Sequence, residues 1–70
     1  MMPLSMVNTG EKVLIQRVGG LEETRRFLTN LGFTEGAEVE VVNAIGGNMI
    51  VKVRDSRVAI NLDMAKKIMV

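Results

Sequence analysis

The chain has 70 residues, a formal net charge of +1, and neither cysteine nor histidine. The lack of cysteine excludes disulfides and thiolate metal sites, and a share of 47% apolar and 24% charged residues is typical of a folded domain. So small a net charge does not create a field that would attract nucleic acid or an anionic membrane by charge alone. We therefore expect one domain spanning residues 1–70.

The first elements along the chain are a turn and a strand. Residues 1–5 are expected to be frayed, with Leu4 and Val7 as the first residues that contact the core. Asn8–Glu11 has the composition of a turn. Lys12–Val18 then predicts a strand, with a bend in its second half because the alternation of apolar and polar residues breaks there.

A helix is predicted next, from residue 21 to residue 31. Its apolar stripe consists of Leu21, Thr24, Phe27, Leu28 and Leu31. Gly32 is expected to end the helix in the left-handed conformation, and Phe33 then folds back onto Leu28. Two residues later, Gly36 occupies the position where a type II turn needs positive φ.

The remainder of the chain predicts four more strands. These are residues 38–42, 49–54, 57–61 and 68–70. Gly46-Gly47 predicts a hairpin between the first two, and Asp55-Ser56 predicts a tight turn between the second and the third. One helical turn is expected over residues 62–67, with Asp63 as its cap. Five short strands with one helix between the first and the second favour a mainly β fold. We predict a small SH3-like five-stranded barrel, because closure hides the edges of the sheet.

Two runs of residues give the chain a resemblance to the FeoA family across nearly its whole length. The stronger run is Leu31-Gly32-Phe33-x-x-Gly36-x-x-Val39, and the second is the closing Ala65-x-x-Ile68-x-Val70. The chain departs from the family at four places. The family frequently has a basic residue at the position of Phe27, proline at that of Glu35 and glycine at that of Asp55. Residues 44–48 stand where the family frequently has a Pro-Leu-Gly-x-Pro loop.

The resemblance implies an SH3-like cytoplasmic protein that assists ferrous iron uptake through the membrane transporter FeoB, which carries a cytosolic G domain. Ferrous iron is then the ion that the partner system transports, and not a cofactor of this chain. The sequence is also similar to the C-terminal domain of iron-dependent repressors of the diphtheria toxin repressor kind. A regulatory metal-linked domain is therefore an alternative.

The residues themselves favour neither catalysis nor metal binding. Without histidine or cysteine, a serine or threonine nucleophile would lack an imidazole base, so we expect no enzymatic activity. Glu38 and Glu40 share a strand face, but two carboxylates without a third ligand do not define an iron site. We expect no cofactor and no metal ligands.

Nucleic-acid binding is the alternative from another class, because small barrels often bind single strands. Its best candidate is a basic patch of Lys52, Arg54 and Arg57. Such proteins use aromatic side chains in a basic groove, however, and both phenylalanines of this chain are assigned to the core. We therefore expect no nucleic-acid partner.

A protein-interaction module is the interpretation that remains. The proposed docking residues lie on the outer helix face and around the turn at Asp55, namely Glu22, Arg25, Arg26, Thr29, Arg54 and Arg57. No apolar run is long enough to span a membrane, and no signal peptide precedes the first strand, so the chain is expected to be cytoplasmic and not membrane-embedded. Exposed strand edges at 49–54 or at the C-terminus offer sites for a homo-oligomer.

Overall fold

Six short strands form two antiparallel sheets in a computed structural model that describes all 70 residues. The strands are β1 (Lys12–Leu14), β2 (Arg17–Val18), β3 (Glu38–Ile45), β4 (Asn48–Val53), β5 (Ser56–Asn61) and β6 (Ile68–Met69), and the helices are α1 (Glu22–Leu31) and α2 (Leu62–Ala65). The larger sheet has the order β1-β3-β4-β5, and the smaller one pairs β2 with β6. The predicted mainly β, SH3-like fold is confirmed, with six strands instead of five, but the two sheets do not close into a barrel.

The additional strand arises because the predicted strand over residues 12–18 divides between the two sheets. The Ile15 N–H donates to the Ala37 carbonyl at 2.9 Å, whereas the Gln16 N–H donates to the Met69 carbonyl at 2.8 Å. The chain therefore leaves the larger sheet after Ile15 and enters the smaller one at the next residue. This change of sheet is the physical reason for the broken alternation in the sequence.

The N-terminus is ordered, so the expectation that residues 1–5 fray is wrong. The Met2 N–H donates to the Val70 carbonyl at 2.9 Å, and the Val70 N–H donates to the Met2 carbonyl at 2.8 Å. Pro3 forms a β-bridge with Met69, which is also paired with β2. The first residues of the chain thus cover the second edge of β6 before a 3₁₀ turn at Leu4–Met6.

Helix α1 ends as predicted, in a Schellman motif. Gly32 has φ 111°, the Phe33 N–H donates to the Leu28 carbonyl at 3.0 Å, and the Gly32 N–H donates to the Thr29 carbonyl at 3.0 Å. The side chains of Leu28 and Phe33 are both fully buried. The helix end and the core are therefore held by the same pair of residues.

Two members of the predicted apolar stripe of α1 do not pack in the core. Leu21 is 79% exposed because it precedes the helix with an extended backbone, φ −65° and ψ 151°, and does not continue the helical stripe. Phe27 is 49% exposed because it lies about 100° around the helix from Leu28. The assignment of both phenylalanines to packing is thus wrong for Phe27 and confirmed for Phe33.

The β3–β4 hairpin is longer than predicted. The turn before it contains Gly36 at φ 83°, and β3 continues to Ile45 through a bulge between Val41 and Asn43, so that Gly46-Gly47 alone connects the two strands. The predicted end of this strand at residue 42 is wrong because the bulge interrupts the alternation there. β4 lies between β3 and β5, so the expectation that 49–54 forms an exposed edge is also wrong.

The β4–β5 turn is shifted by one residue from the prediction. Its two central residues are Arg54 and Asp55, with φ 51° and 64°, as in a type I′ turn. Helix α2 follows β5, and the Asn61 Oδ1 accepts the Met64 N–H at 2.8 Å. The N-cap of α2 is therefore Asn61, and the prediction of Asp63 is wrong because that residue lies inside the first turn.

The core fills the space between the two sheets and α1. It consists of Leu4, Val7, Ile15, Leu28, Phe33, Val39, Val41, Met49, Val51, Val53, Ile60, Ala65 and Ile68. Alternation along residues 49–54 predicts Met49, Val51 and Val53 on one face of the strand, and all three are buried in this core. No helix of the structure is long and apolar enough to cross a lipid bilayer.

Candidate functional site

The four residues predicted on the outer face of α1 lie together. Glu22, Arg25, Arg26 and Thr29 are all exposed and line one shallow depression. The Glu22 Oε1 lies 3.1 Å from the Arg26 Nη2, the favourable order for a pair four residues apart on a helix. Both side chains are more than 70% exposed, so this ion pair adds at most a few tenths of a kcal/mol, roughly 0.3 to 0.5. Arg25 has no carboxylate within ion-pair distance.

A groove runs along the flank of α1 beside this face. We call it the helix groove, and it is lined by Val18, Arg25, Thr29, Phe33, Thr34 and Glu35. Sequence patterns did not indicate the contribution from β2 and from residues 34–35, because these segments reach the helix only through the tertiary fold. Arg25 and Glu35 give the groove one charged group of each sign.

A second groove lies on the outer face of the larger sheet. We call it the sheet groove, and its lining comprises residues 34–38 together with Lys12, Glu40, Lys52, Arg54 and Asp55. Thr34 and Glu35 line both grooves. The helix groove and the sheet groove therefore form one continuous polar surface. Of the predicted docking residues, Arg25, Thr29 and Arg54 line it, whereas Glu22 and Arg26 lie beside it on α1 and Arg57 lies outside both linings.

Arg54 connects the β4–β5 hairpin to the end of α1. Its Nη2 donates to the Thr34 Oγ1 at 3.2 Å, and its Nε donates over a long 3.5 Å to the Gly32 carbonyl. The guanidinium is thus oriented by the chain itself, although the residue is exposed. The sequence predicts Arg54 as a docking residue, and it carries no signal for a contact between residues 22 positions apart.

Arg57 belongs to a row of charged residues that crosses all four strands of the larger sheet. The register places Lys12 opposite Glu40, Glu40 opposite Lys52, and Lys52 opposite Arg57. Neither of the two pairs of opposite charge, Lys12 with Glu40 and Glu40 with Lys52, is within ion-pair distance. Lys52 and Arg57 are like charges on neighbouring strands, an arrangement that is unfavourable without a counter-charge.

Acidic residues do not gather into a metal site. No group of three or more histidine, cysteine, aspartate or glutamate side chains lies within reach of a single ion. Glu38 and Glu40 share the outer face of β3, as predicted, and the nearest cross-strand neighbours of Glu40 are two lysines.

The fold defines the class of protein. Two small antiparallel sheets around one core, with a helix inserted between the second and third strands, form an SH3-like domain. The FeoA domain family matches residues 2–70, and the chain belongs to this family, which is linked to ferrous iron transport.

Three relatives illustrate the match. A protein of Methanocaldococcus jannaschii, named as a candidate Fe(2+) transport protein A, is 29% identical over 70 residues, which is 100% of this chain and 85% of that protein. The FeoA of Stenotrophomonas maltophilia in complex with zinc, described as a prokaryotic SH3 domain protein, is 28% identical with a TM-score of 0.89, covering 99% of this chain and 88% of that one. The crystal structure of an iron uptake regulatory protein, FeoA, is 29% identical with a TM-score of 0.90, covering 97% and 92%.

Proposed function

We propose that this chain is a cytoplasmic, non-catalytic accessory protein of ferrous iron transport that binds the cytosolic G domain of a FeoB-type membrane transporter. Membership of the FeoA family supports the link to ferrous iron. The relative from Stenotrophomonas maltophilia is described as a candidate activating factor of bacterial ferrous iron transport, which supports an accessory role. Ferrous iron is in this proposal the ion moved by the partner, and this chain needs no cofactor.

The observation that carries the proposal is the continuous polar surface formed by the helix groove and the sheet groove. It presents Arg25, which forms no ion pair, in the helix groove and Lys52 in the sheet groove, and Arg57 lies beside Lys52 on the next strand, just outside the groove lining. A partner surface with acidic groups at the matching positions would relieve the repulsion between Lys52 and Arg57. Such complementarity increases association rate and fixes orientation, even where the net affinity comes from other contacts.

Binding affects transport only if the affinity differs between conformations of the transporter. A module that binds the ion-conducting state more tightly than the closed state shifts the population toward conduction by that ratio of affinities. The direction of this shift decides between activation and inhibition. A difference in the affinity of the chain for the nucleotide-free and the GTP-bound G domain would show that binding depends on the conformation of the transporter.

The test is capture of partners by the immobilised chain from detergent-solubilised membranes of its source organism. We expect a FeoB-type transporter among the captured proteins, and we expect Arg25→Glu combined with Arg57→Glu to lower the affinity for the purified G domain at least tenfold. Arg17→Glu is the matched control, since Arg17 is an exposed arginine of β2 outside both grooves.

Two results would contradict the proposal. Equal affinity of the double variant and the Arg17→Glu control for the G domain would place the interface elsewhere. Recovery of RNA without a transporter, with a steep loss of binding in added salt, would favour the nucleic-acid alternative instead.

A further inference from the structure

The larger sheet has two edge strands, β1 and β5, and the outer edge of β5 pairs with no other strand of the fold. β5 is the terminal strand in the order β1-β3-β4-β5 and pairs with β4 alone. The two-residue turn makes Val53 and Ser56 the first pair of this hairpin, and in such a hairpin the first pair exchanges hydrogen bonds. Hydrogen-bonded pairs then alternate, so the backbones of Val58 and Ile60 also face β4.

The intervening residues of β5 present their backbone groups to the outside. They are Arg57, Ala59 and Asn61, and all three are exposed. Ala59 lies in the middle, with a side chain too small to cover its own N–H and carbonyl. The Asn61 N–H faces outward as well, whereas the residue's side chain is occupied in capping α2.

β5 lacks the features that usually keep an exposed edge from pairing. Such edges are short, bulged, proline-containing or rich in charge. β5 has six residues in continuous register with β4, without a bulge or a proline, and Arg57 is its one charged residue. By contrast, β1 has three residues before the chain changes sheet, and the N-terminal residues cover the free side of β6.

We propose that β5 pairs antiparallel with β5 of a second copy of this chain, about a two-fold axis that passes between the two Ala59 residues. A two-fold interface requires a self-complementary surface, and this register supplies one. It places Arg57 opposite Asn61 of the second copy, so that no like charges meet, and Val58 opposite Ile60 on the core side. A register centred on Arg57 would instead oppose two guanidinium groups.

The pairing joins two four-stranded sheets into one of eight strands. Hydrogen bonds form between the two Ala59 backbones, and the Asn61 N–H of each copy donates to the Arg57 carbonyl of the other. A single strand edge of a molecule with 4458 Å² of surface buries less than the roughly 800 Å² per partner of a standard stable interface. The dimer is therefore weak and reversible, and forms at high protein concentration.

The dimer goes beyond the proposed function and does not depend on it. The Arg57 side chain projects from the outer face of the sheet, opposite Lys52, whereas the dimer uses the backbone edge of the strand. A monomeric protein that still binds the transporter, or a dimer that does not, would separate the two proposals.

Sedimentation velocity over a concentration series up to about 1 mM tests the dimer, since this range detects even a weak association. We expect the wild-type sedimentation coefficient to rise toward that of a dimer. Ala59→Lys and Ala59→Glu each place like charges across the axis and should raise the dimer Kd at least tenfold. An equimolar mixture of the two variants should restore dimerisation, because opposite charges then meet.

Ala44→Lys is the control, because Ala44 is an exposed strand residue of β3 and lies away from the β5 edge. It should dimerise like the wild type, and far-UV circular dichroism should show that every variant is folded. A wild type that stays monomeric at about 1 mM would overturn the proposal. Equal dimerisation of Ala59→Lys and wild type, or a mixture that stays monomeric, would overturn it as well.

Discussion

The side chain of Arg54 lies directly against the backbone of Gly32, so closely that a β-carbon at position 32 would come within 2.8 Å of the Arg54 Cδ. The same arginine donates to the Gly32 carbonyl and to the hydroxyl of Thr34. Position 32 therefore needs glycine for two separate reasons. Its φ of 111° disfavours any side chain, and the exposed arginine of the hairpin would have to move, giving up its two hydrogen bonds, to make room for one.

Gly32→Ala should lower the free energy of unfolding by more than the backbone strain alone, which is about 1 to 2 kcal/mol. Gly10→Ala is the matched control, since Gly10 has φ 91° and a β-carbon added there would meet no other atom within 4 Å. Urea denaturation of both variants gives the difference. Gly32→Ala should cost less in an Arg54→Ala background than in the wild type, and an equal cost in the two backgrounds would contradict the steric explanation.

Asp55→Gly should stabilise the domain by about 0.5 to 1 kcal/mol, because Asp55 has φ 64° in the β4–β5 turn and glycine adopts this conformation without strain. Thermal unfolding monitored by circular dichroism measures the shift. Ala59→Gly, in the middle of β5, should instead destabilise, since glycine loses more conformational entropy in a strand. A lower melting temperature for Asp55→Gly would show that its carboxylate has an interaction more important than the backbone strain.

Asn61→Ala should lower stability by about 1 kcal/mol, because it removes the acceptor of the Met64 N–H at the start of α2. Asn61→Asp keeps an acceptor at this position and should retain most of the stability. Asp63→Ala should have a smaller effect, since that carboxylate caps nothing and interacts only with the helix dipole. The three variants are compared by urea denaturation, and a greater loss in Asp63→Ala than in Asn61→Ala would contradict this assignment.

The two phenylalanines should differ sharply in their response to truncation. Phe33→Ala removes a fully buried ring, at a cost of about 3 to 5 kcal/mol, which is comparable to the whole stability of many domains of this size. Phe27→Ala removes a ring that is 49% exposed and should cost less than about 1.5 kcal/mol. The fraction folded, from one-dimensional proton NMR of each variant, checks the contrast. Equal losses would mean that Phe27 packs against the core more than its exposure indicates.

Local patterns in the sequence predicted the local structure well. The end of α1 at Gly32, the turn at Gly36 and the inward residues of β4 all depend on neighbours within a few positions, and all are confirmed. Periodicity alone could not place Leu21, because it does not show where the helical backbone begins. Nor could it predict that residues 12–18 divide between two sheets, since the division depends on carbonyls of Ala37 and Met69 far along the chain.

The candidate site shows the same division between local and non-local information. The helix face from Glu22 to Thr29 was predicted as a unit because helical spacing brings its members together. The row from Lys12 to Arg57 depends on the register of four strands, and the contact of Arg54 with the helix end depends on the tertiary fold. That these residues bind a partner stays a prediction, because charge and exposure alone do not identify what a surface binds.

The hydrogen bonds between Met2 and Val70 place the two ends of the chain side by side on one edge of β6. A short flexible linker could therefore join them, and the chain could be reopened between Gly46 and Gly47, where the turn residues are exposed. Such a circular permutant would keep every strand pairing while moving the new termini to the turn of the β3–β4 hairpin. Affinity tags and fluorophores could then be attached at the hairpin turn instead of at the original ends, which frees the surface around β6 for measurements that a fused tag would obstruct.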